Sequence, residues 1–146
     1  MKLLDVNVLV RAFREDAPGH GTTHRWLRAL VESENGFGIA DLALSGFLRI
    51  VTHPRIFTPP TPLDEALAFA EALRAQPNCV VIGPGRRHWS IFVGLCREAE
   101  ARGNLVPDAY LAALAVESGC EWITNDRDFS RFSALSWSTP APEPTA

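Results

Sequence analysis

Residues 106–115 have the sequence VPDAYLAALA, which places one carboxylate at the start of an otherwise apolar, alanine-rich stretch. Pro107 suits the first position of a helix, because that position needs no backbone N–H. Asp108 then falls in the first turn, where free N–H groups and the helix dipole favour an ionised carboxylate. Taken alone, Asp108 is most simply interpreted as a residue that stabilises its helix. Whether Asp108 also has a functional role depends on which other side chains lie close to it in the folded chain.

The rest of the chain alternates short apolar stretches with longer amphipathic ones. Strands are predicted over residues 2–5, 37–39, 80–82, 122–124 and 135–137, and helices over about 7–14, 21–33, 41–52, 62–73, 91–102 and from 107 onward. The β-branched stretch at 80–82 predicts a buried strand. This alternation is typical of an α/β fold with a mainly parallel central sheet that helices cover on both faces.

Length and composition predict one domain. The chain of 146 residues is long enough for one core, predicted over 1–138, whereas residues 139–146 lack an apolar pattern and should have no fixed structure. A net charge of -3 argues against binding nucleic acid by bulk charge. Three cysteines without a CxxC spacing indicate neither a disulfide framework nor a cysteine zinc site. Since no apolar stretch approaches the roughly 18 residues that span a membrane, we expect a cytoplasmic protein.

Four aspartates are expected at one edge of the sheet. Asp5, Asp126 and Asp128 follow the ends of predicted strands, and ligands of parallel α/β sheets bind beyond those ends. If Asp108 begins a helix beside them, the carboxylates repel one another unless a cation lies between them. Mg²⁺ or Mn²⁺ would suit such oxygen ligands, and its waters could attack phosphorus. The spacing therefore predicts a metal site for phosphate chemistry.

Four segments resemble the motifs of a known family. They are LLDVN at 3–7, LSGFLRIVT at 44–52 with PRIF at 54–57, DAYLAALA at 108–115 and TNDRDF at 124–129. In this order and spacing they are similar to the PIN-domain ribonucleases, and among these to the VapC-type toxins of type II toxin–antitoxin pairs. The resemblance implies a magnesium-dependent endoribonuclease with a three-layer α/β/α sandwich. Such proteins are commonly homodimers, and a cognate antitoxin silences them.

The resemblance also implies roles for individual residues. Asp5 and Asp108 would be the principal metal ligands, Asp126 a further acidic ligand and Asp128 a helper. Asn7, two residues past Asp5, could orient a water or a carboxylate. These five residues form the expected catalytic set.

Gly46 departs from the family pattern, because related proteins usually carry a glutamate in this helix. Asp41, more than one helical turn earlier, could substitute for the missing acid, or Ser45 could hold a water. The departure favours one metal ion over two.

Several arginines could hold RNA phosphates near the acidic site. Arg49, Arg55 and Arg87 are favoured because they lie near proline-rich or glycine-rich connectors. The histidines show no zinc-ligand spacing. Asp5 with Asn7 matches only in part the Asp-x-Asp of aspartyl-phosphate phosphatases, which makes that class a distant alternative.

Two hypotheses remain open for the function. In the first, the chain is an RNA-cleaving toxin in which Asp5, Asp108 and Asp126 hold magnesium and water attacks phosphorus, leaving a 5′-phosphate. In the second, the loss of the acid at Gly46 has left a catalytically impaired regulatory module that binds RNA or an antitoxin without cleavage. RNA ends produced by the wild type and by Asp108→Asn would separate the two.

Overall fold

A computed structural model describes residues 1–141 as a five-stranded sheet with helices on both faces. The strands are β1 (Lys2–Leu4), β2 (Phe37–Ile39), β3 (Cys79–Val81), β4 (Glu121–Ile123) and β5 (Trp137–Ser138). The helices are α1 (Val6–Phe13), α2 (His20–Glu32), α3 (Asp41–Val51), α4 (Leu63–Arg74), α5 (His88–Glu98) and α6 (Leu105–Ser118), with a 3-10 helix over Arg127–Arg131. Residues 1–141 contain no helix with the length and hydropathy of a membrane span. Of the tail expected to lack fixed structure, residues 142–146 lie outside the described part.

All paired strands run parallel, in the order β3-β2-β1-β4-β5. Because β1 is central, its alternating side chains face both helical layers. Leu4 packs in a core formed with α1 to α4, whereas Leu3 packs in a second core formed mainly with α5, α6 and the 3-10 helix. These two cores separate the three layers of an α/β/α sandwich, which confirms the predicted fold class.

Some element bounds differ from the sequence-based prediction. α6 begins at Leu105, so Pro107 is its third residue, still among the positions whose N–H has no helical partner. The prediction that the β-branched stretch forms a buried strand is wrong about burial, because β3 lies at the edge of the sheet. Val80 is 46% exposed and Val81 is 43% exposed. β-branched residues indicate a strand but not its place in the sheet, which the order of the strands decides.

The carboxyl edge of the sheet gathers the starts of three helices. A single residue separates α1 from the strand before it, and the same is true of α3. α6 precedes β4 and therefore begins at the same edge, because consecutive elements of a parallel α/β unit run in opposite directions. Side chains at these three helix starts and in the loop after β4 can share one site.

Candidate active site

Asp5 is buried in the link between β1 and α1, with 5% of its surface exposed. It caps the start of α1, where its Oδ1 accepts a hydrogen bond from the Val6 N–H at 2.6 Å. Its Oδ2 accepts hydrogen bonds from the Thr124 hydroxyl at 2.7 Å and from the Asn7 side-chain amide at 3.1 Å. Three donors thus fix the orientation of this carboxylate at the carboxyl edge of the sheet.

Thr124 and Asn7 join the ends of β1 and β4 in one network. The buried Thr124 Oγ1 accepts a hydrogen bond from Asn7 Nδ2 at 3.2 Å and another from the Asp126 N–H at 2.9 Å. Asn7 Oδ1 accepts a hydrogen bond from the Asn125 N–H at 3.0 Å. Asn7 therefore contacts both the Asp5 carboxylate and the loop after β4, whereas its predicted role in orienting water stays a prediction.

The pKa values of Asp5 and Asp108 are both raised. Burial raises the pKa of Asp5 from 3.8 to about 6, against the hydrogen bond from Thr124. The pKa of Asp108 is also raised from 3.8 to about 6, first by burial. The negative charges of Asp5, Asp126 and Asp128 contribute the rest. The helix start was expected to favour an ionised Asp108, but burial and like charges outweigh the helix dipole.

Asp126 and Asp128 occupy different positions relative to this pair. Asp126 caps the 3-10 helix, and its Oδ1 accepts a hydrogen bond from the Asp128 N–H at 2.9 Å. The half-buried Asp126 lines the cavity that Asp5 and Asp108 also line. Asp128 is exposed and does not line it, although its charge raises the pKa of Asp108. The structure brings three of the four predicted aspartates to one cavity and leaves the fourth beside it.

The donor set fits a cation that keeps most of its waters. Within residues 1–141, no three His, Cys, Asp or Glu side chains form a ready metal-binding group. Mg²⁺ in proteins is usually bound through one or two carboxylates, with waters and substrate phosphates as its other ligands. Asp5 and Asp108 satisfy that requirement, because a positive charge between them relieves their repulsion and the cost of their burial. The predicted set of three direct carboxylate ligands is not preformed.

The cavity has a volume of about 580 Å³ and lies between α1, α3, the loop after α3 and the start of α6. Its walls are largely apolar beyond the aspartates, and these side chains include Val10, Leu42, Ile50, Ile56, Phe57 and Leu111. Because apolar walls lower the local dielectric, they strengthen electrostatic interactions between the carboxylates and a bound cation.

Two arginines line this cavity, and only one of them was among the three favoured from the sequence. Arg49 lies in the wall as expected, whereas Arg55 and Arg87 are exposed elsewhere and do not reach the cavity. Arg11 was missed as a preferred candidate, although it lines the cavity too. It lies four residues after Asn7 on α1, so the spacing of one helical turn was the available signal.

The positions of Asp41 and Gly46 relative to the cavity bear on the glutamate that this chain lacks. Asp41 is exposed at the start of α3, where its carboxylate accepts hydrogen bonds from Arg74 at 2.8 and 3.2 Å. It does not line the cavity, so the structure does not bring Asp41 together with the other aspartates. Ser45 and Gly46 do line the cavity. A Cβ at Gly46 would lie 2.9 Å from Val6 Cγ2, so α1 and α3 pack too closely there for a larger residue without a shift.

The parallel sheet, its two helical layers and the aspartates that meet at its carboxyl edge define an α/β/α domain with an acidic site. A family model described as "PIN domain" matches residues 2–135. The chain belongs to the PIN-domain family, as its motifs predicted.

Relatives and solved structures show which members of the PIN-domain family this chain resembles. "Ribonuclease VapC25" of Mycobacterium tuberculosis is 44% identical over 135 residues, which cover 92% of this chain and 95% of the relative. The fold is similar to that of VapBC2 from Rickettsia felis bound to a DNA fragment from its promoter, with a TM-score of 0.70, 17% identity and coverage of 94% and 97%. It is also similar to a toxin–antitoxin complex from Klebsiella pneumoniae, with a TM-score of 0.64, 18% identity and coverage of 98% and 100%. The predicted place among VapC-type PIN-domain ribonucleases is confirmed.

Proposed function

We propose that the chain is a magnesium-dependent endoribonuclease that acts as the toxin of a type II toxin–antitoxin pair. The observation that carries this proposal is that Asp5 and Asp108, from distant parts of the chain, line one cavity and both have a pKa of about 6. Both are ionised at neutral pH only at a free-energy cost, which a divalent cation offsets. The name of the relative that is 44% identical supports RNA as the substrate.

In this proposal Asp5 and Asp108 hold Mg²⁺, with Asp126 as a third acidic partner and Mn²⁺ as an alternative ion. When bound, the ion supplies positive charge that orients a water towards phosphorus and offsets charge on the leaving oxygen. Thr124 and Asn7 keep the Asp5 carboxylate in one orientation. The water oxygen bonds to phosphorus as the bond to the 3′-oxygen breaks, which leaves a 5′-phosphate and a 3′-hydroxyl.

A cognate antitoxin would hold this activity in check by binding over the acidic cavity, and the toxin would work as a homodimer in the cytoplasm. Support for a protein partner comes from the similar fold of the Klebsiella pneumoniae toxin–antitoxin complex. Cys79, Cys96 and Cys120 are free thiols, which accords with a reducing compartment.

Asp108→Asn tests the nuclease proposal, with Asp64→Asn as a matched control in the first turn of α4. Total RNA is incubated with each purified protein, with Mg²⁺ or with EDTA, and the new RNA ends are mapped. Loss of a metal ligand should slow cleavage more than about 100-fold, since even outer partners of metal ligands contribute 10- to 100-fold. The control should cleave as the wild type does. Full cleavage in EDTA, or 2′,3′-cyclic phosphate ends, would exclude metal-assisted hydrolysis.

A second candidate is a catalytically impaired module that binds RNA or an antitoxin without cleaving. Gly46 favours this alternative, because it supplies no acid where related proteins carry one, and a Cβ there would lie 2.9 Å from Val6 Cγ2. The alternative predicts that the purified wild type binds RNA or its partner but cleaves no cellular RNA at any Mg²⁺ concentration. It also predicts that Asp5→Asn leaves the biological effect unchanged.

A further inference from the structure

Arg11 and Arg49 line the same cavity as the aspartates but carry unpaired charges. Within residues 1–141, no carboxylate lies in ion-pair contact with either guanidinium. Other arginines of the chain do have acidic partners, as in the pairs Arg14–Asp16, Arg28–Glu32 and Arg74–Asp41. The cavity thus holds two cations that the described part of the protein does not neutralise, and they are available to an anionic ligand.

The two arginines stand apart from the acidic cluster along the helices that begin beside it. Arg11 lies six residues after Asp5, which corresponds to a rise of about 9 Å along α1. Arg49 lies one turn after Gly46, where α3 packs on Val6 at the start of α1. Neither guanidinium lowers the pKa of Asp5, as a close cation would. The positive and the negative groups therefore lie in different parts of one cavity.

Exposed apolar side chains complete the wall of the cavity beside the arginines. Leu42 is 44% exposed and Ile56 is 50% exposed, and both line the cavity. Large apolar side chains left in water next to two cations suit a ligand that combines an apolar face with negative charge. An unpaired nucleotide has both, because its base offers a flat face for packing and its phosphate carries the charge.

We propose that Arg11 and Arg49 bind the phosphate next to the one that is cleaved, and that the base of that nucleotide covers Leu42 and Ile56. The inference rests on the proposed function, because the nuclease reaction is what brings RNA into the cavity. The walls come from two helices and a loop, so the base must leave its own stack to reach them. Arg11 and Arg49 act as positioning residues that hold the strand while the acidic cluster acts.

Salt-dependent RNA binding tests this subsite. Binding of a fluorescently labelled short oligouridylate is measured by anisotropy in EDTA, from about 50 to about 200 mM salt. Arg11→Gln and Arg49→Gln should each weaken binding about tenfold and lower the slope of log K against log salt by about 0.7. Arg11→Lys should keep the wild-type slope. An oligoadenylate should give the same changes, because phosphate contacts do not read sequence.

Arg25→Gln is the matched control, since Arg25 is an exposed arginine of α2 outside the cavity. It should bind RNA with the wild-type slope of log K against log salt. As a check of folding, the melting temperature of every arginine variant should still rise when Mg²⁺ is added. A wild-type slope in both cavity variants overturns the assignment. Should the variants lose slope while the wild type cleaves no RNA, the arginines bind an RNA phosphate, but the nuclease proposal falls and with it the place of that phosphate beside a cleaved bond. If the wild type cleaves RNA and the slopes are unchanged, the nuclease proposal stands and the subsite falls.

Discussion

Ionisation of the buried Asp5 carboxylate should lower the stability of the metal-free protein at neutral pH. The pKa of Asp5 is about 6 in the folded chain, against an ordinary value of 3.8. A shift of about two pKa units corresponds to a preference of about 3 kcal/mol for the protonated form. Since the folded-state pKa is the higher one, this stabilisation is fully present below pH 3.8 and is lost as the pH rises through about 6.

Asp5→Asn removes the titrating group and also removes a charge that raises the pKa of Asp108, so both effects favour the variant as the pH rises. Asparagine keeps an Oδ1 that can accept the Val6 N–H, so the helix cap is retained. It loses the oxygen that accepts from Thr124 and Asn7, a cost that does not change with pH. The difference in free energy of unfolding between variant and wild type should therefore move by more than about 2 kcal/mol in favour of the variant between about pH 4 and about pH 7.

Urea denaturation followed by tryptophan fluorescence in EDTA, at several pH values, measures this difference. Asp64→Asn, at an exposed position on α4, should differ from the wild type by a constant amount across the same range. Saturating Mg²⁺ at pH about 7 should raise the stability of the wild type by RT ln(1 + [Mg²⁺]/Kd) and change Asp5→Asn far less. If the difference between Asp5→Asn and wild type stays flat from about pH 4 to about pH 7, the raised pKa and the reasoning built on it are refuted.

Two further substitutions test the parts that support the site. Thr124→Val removes the hydroxyl that donates to Asp5 Oδ2 at 2.7 Å, and should weaken Mg²⁺ binding about 10- to 100-fold by calorimetry; an unchanged affinity would exclude a positioning role. Gly46→Ala should lower the free energy of unfolding by about 1–3 kcal/mol, because its Cβ would lie 2.9 Å from Val6 Cγ2. Gly94→Ala on α5, with no atom within 4 Å, should instead stabilise by about 0.5–1 kcal/mol. Val6→Ala should rescue Gly46→Ala in part, and strict additivity would count against their contact.

The meeting of Asp5 and Asp108 could be predicted because parallel topology decides it. A residue just after a strand and a residue at the start of a helix that precedes the next parallel strand must lie at the same edge of the sheet. The sequence pattern was sufficient to identify those elements, even where α6 began two residues earlier than expected. Their protonation could not be predicted in the same way, because it depends on burial and on neighbouring charges that appear only when the chain is folded.

Most of the site features that the sequence pattern did not predict depend on contacts between residues far apart in sequence. Asp41 is the acid nearest in sequence to the missing glutamate, but it pairs with Arg74 on α4 and does not line the cavity. The loop after α3 brings Ile56 into the cavity wall, whereas its neighbour Arg55 does not reach it. Which residue of this loop reaches the cavity depends on the path of an irregular connector, and hydrophobic periodicity gives no signal for that path.

α1 connects the acidic cluster to the arginines through one rigid element. Asp5 caps its start and Arg11 lies in its last turn, so the helix rise offsets their backbone positions by about 9 Å along the helix axis, independently of loop conformation. The absence of a side chain at Gly46 lets α3 lie close to Val6 on α1, and Arg49 follows one turn later on the same helix. A glutamate at position 46 would first displace the Val6 side chain, which lies nearest to its Cβ. In the proposed nuclease, Gly46 supplies no further acid, and one metal ion together with Arg11 and Arg49 offsets the charge of RNA, where an additional acid would have favoured a second metal ion.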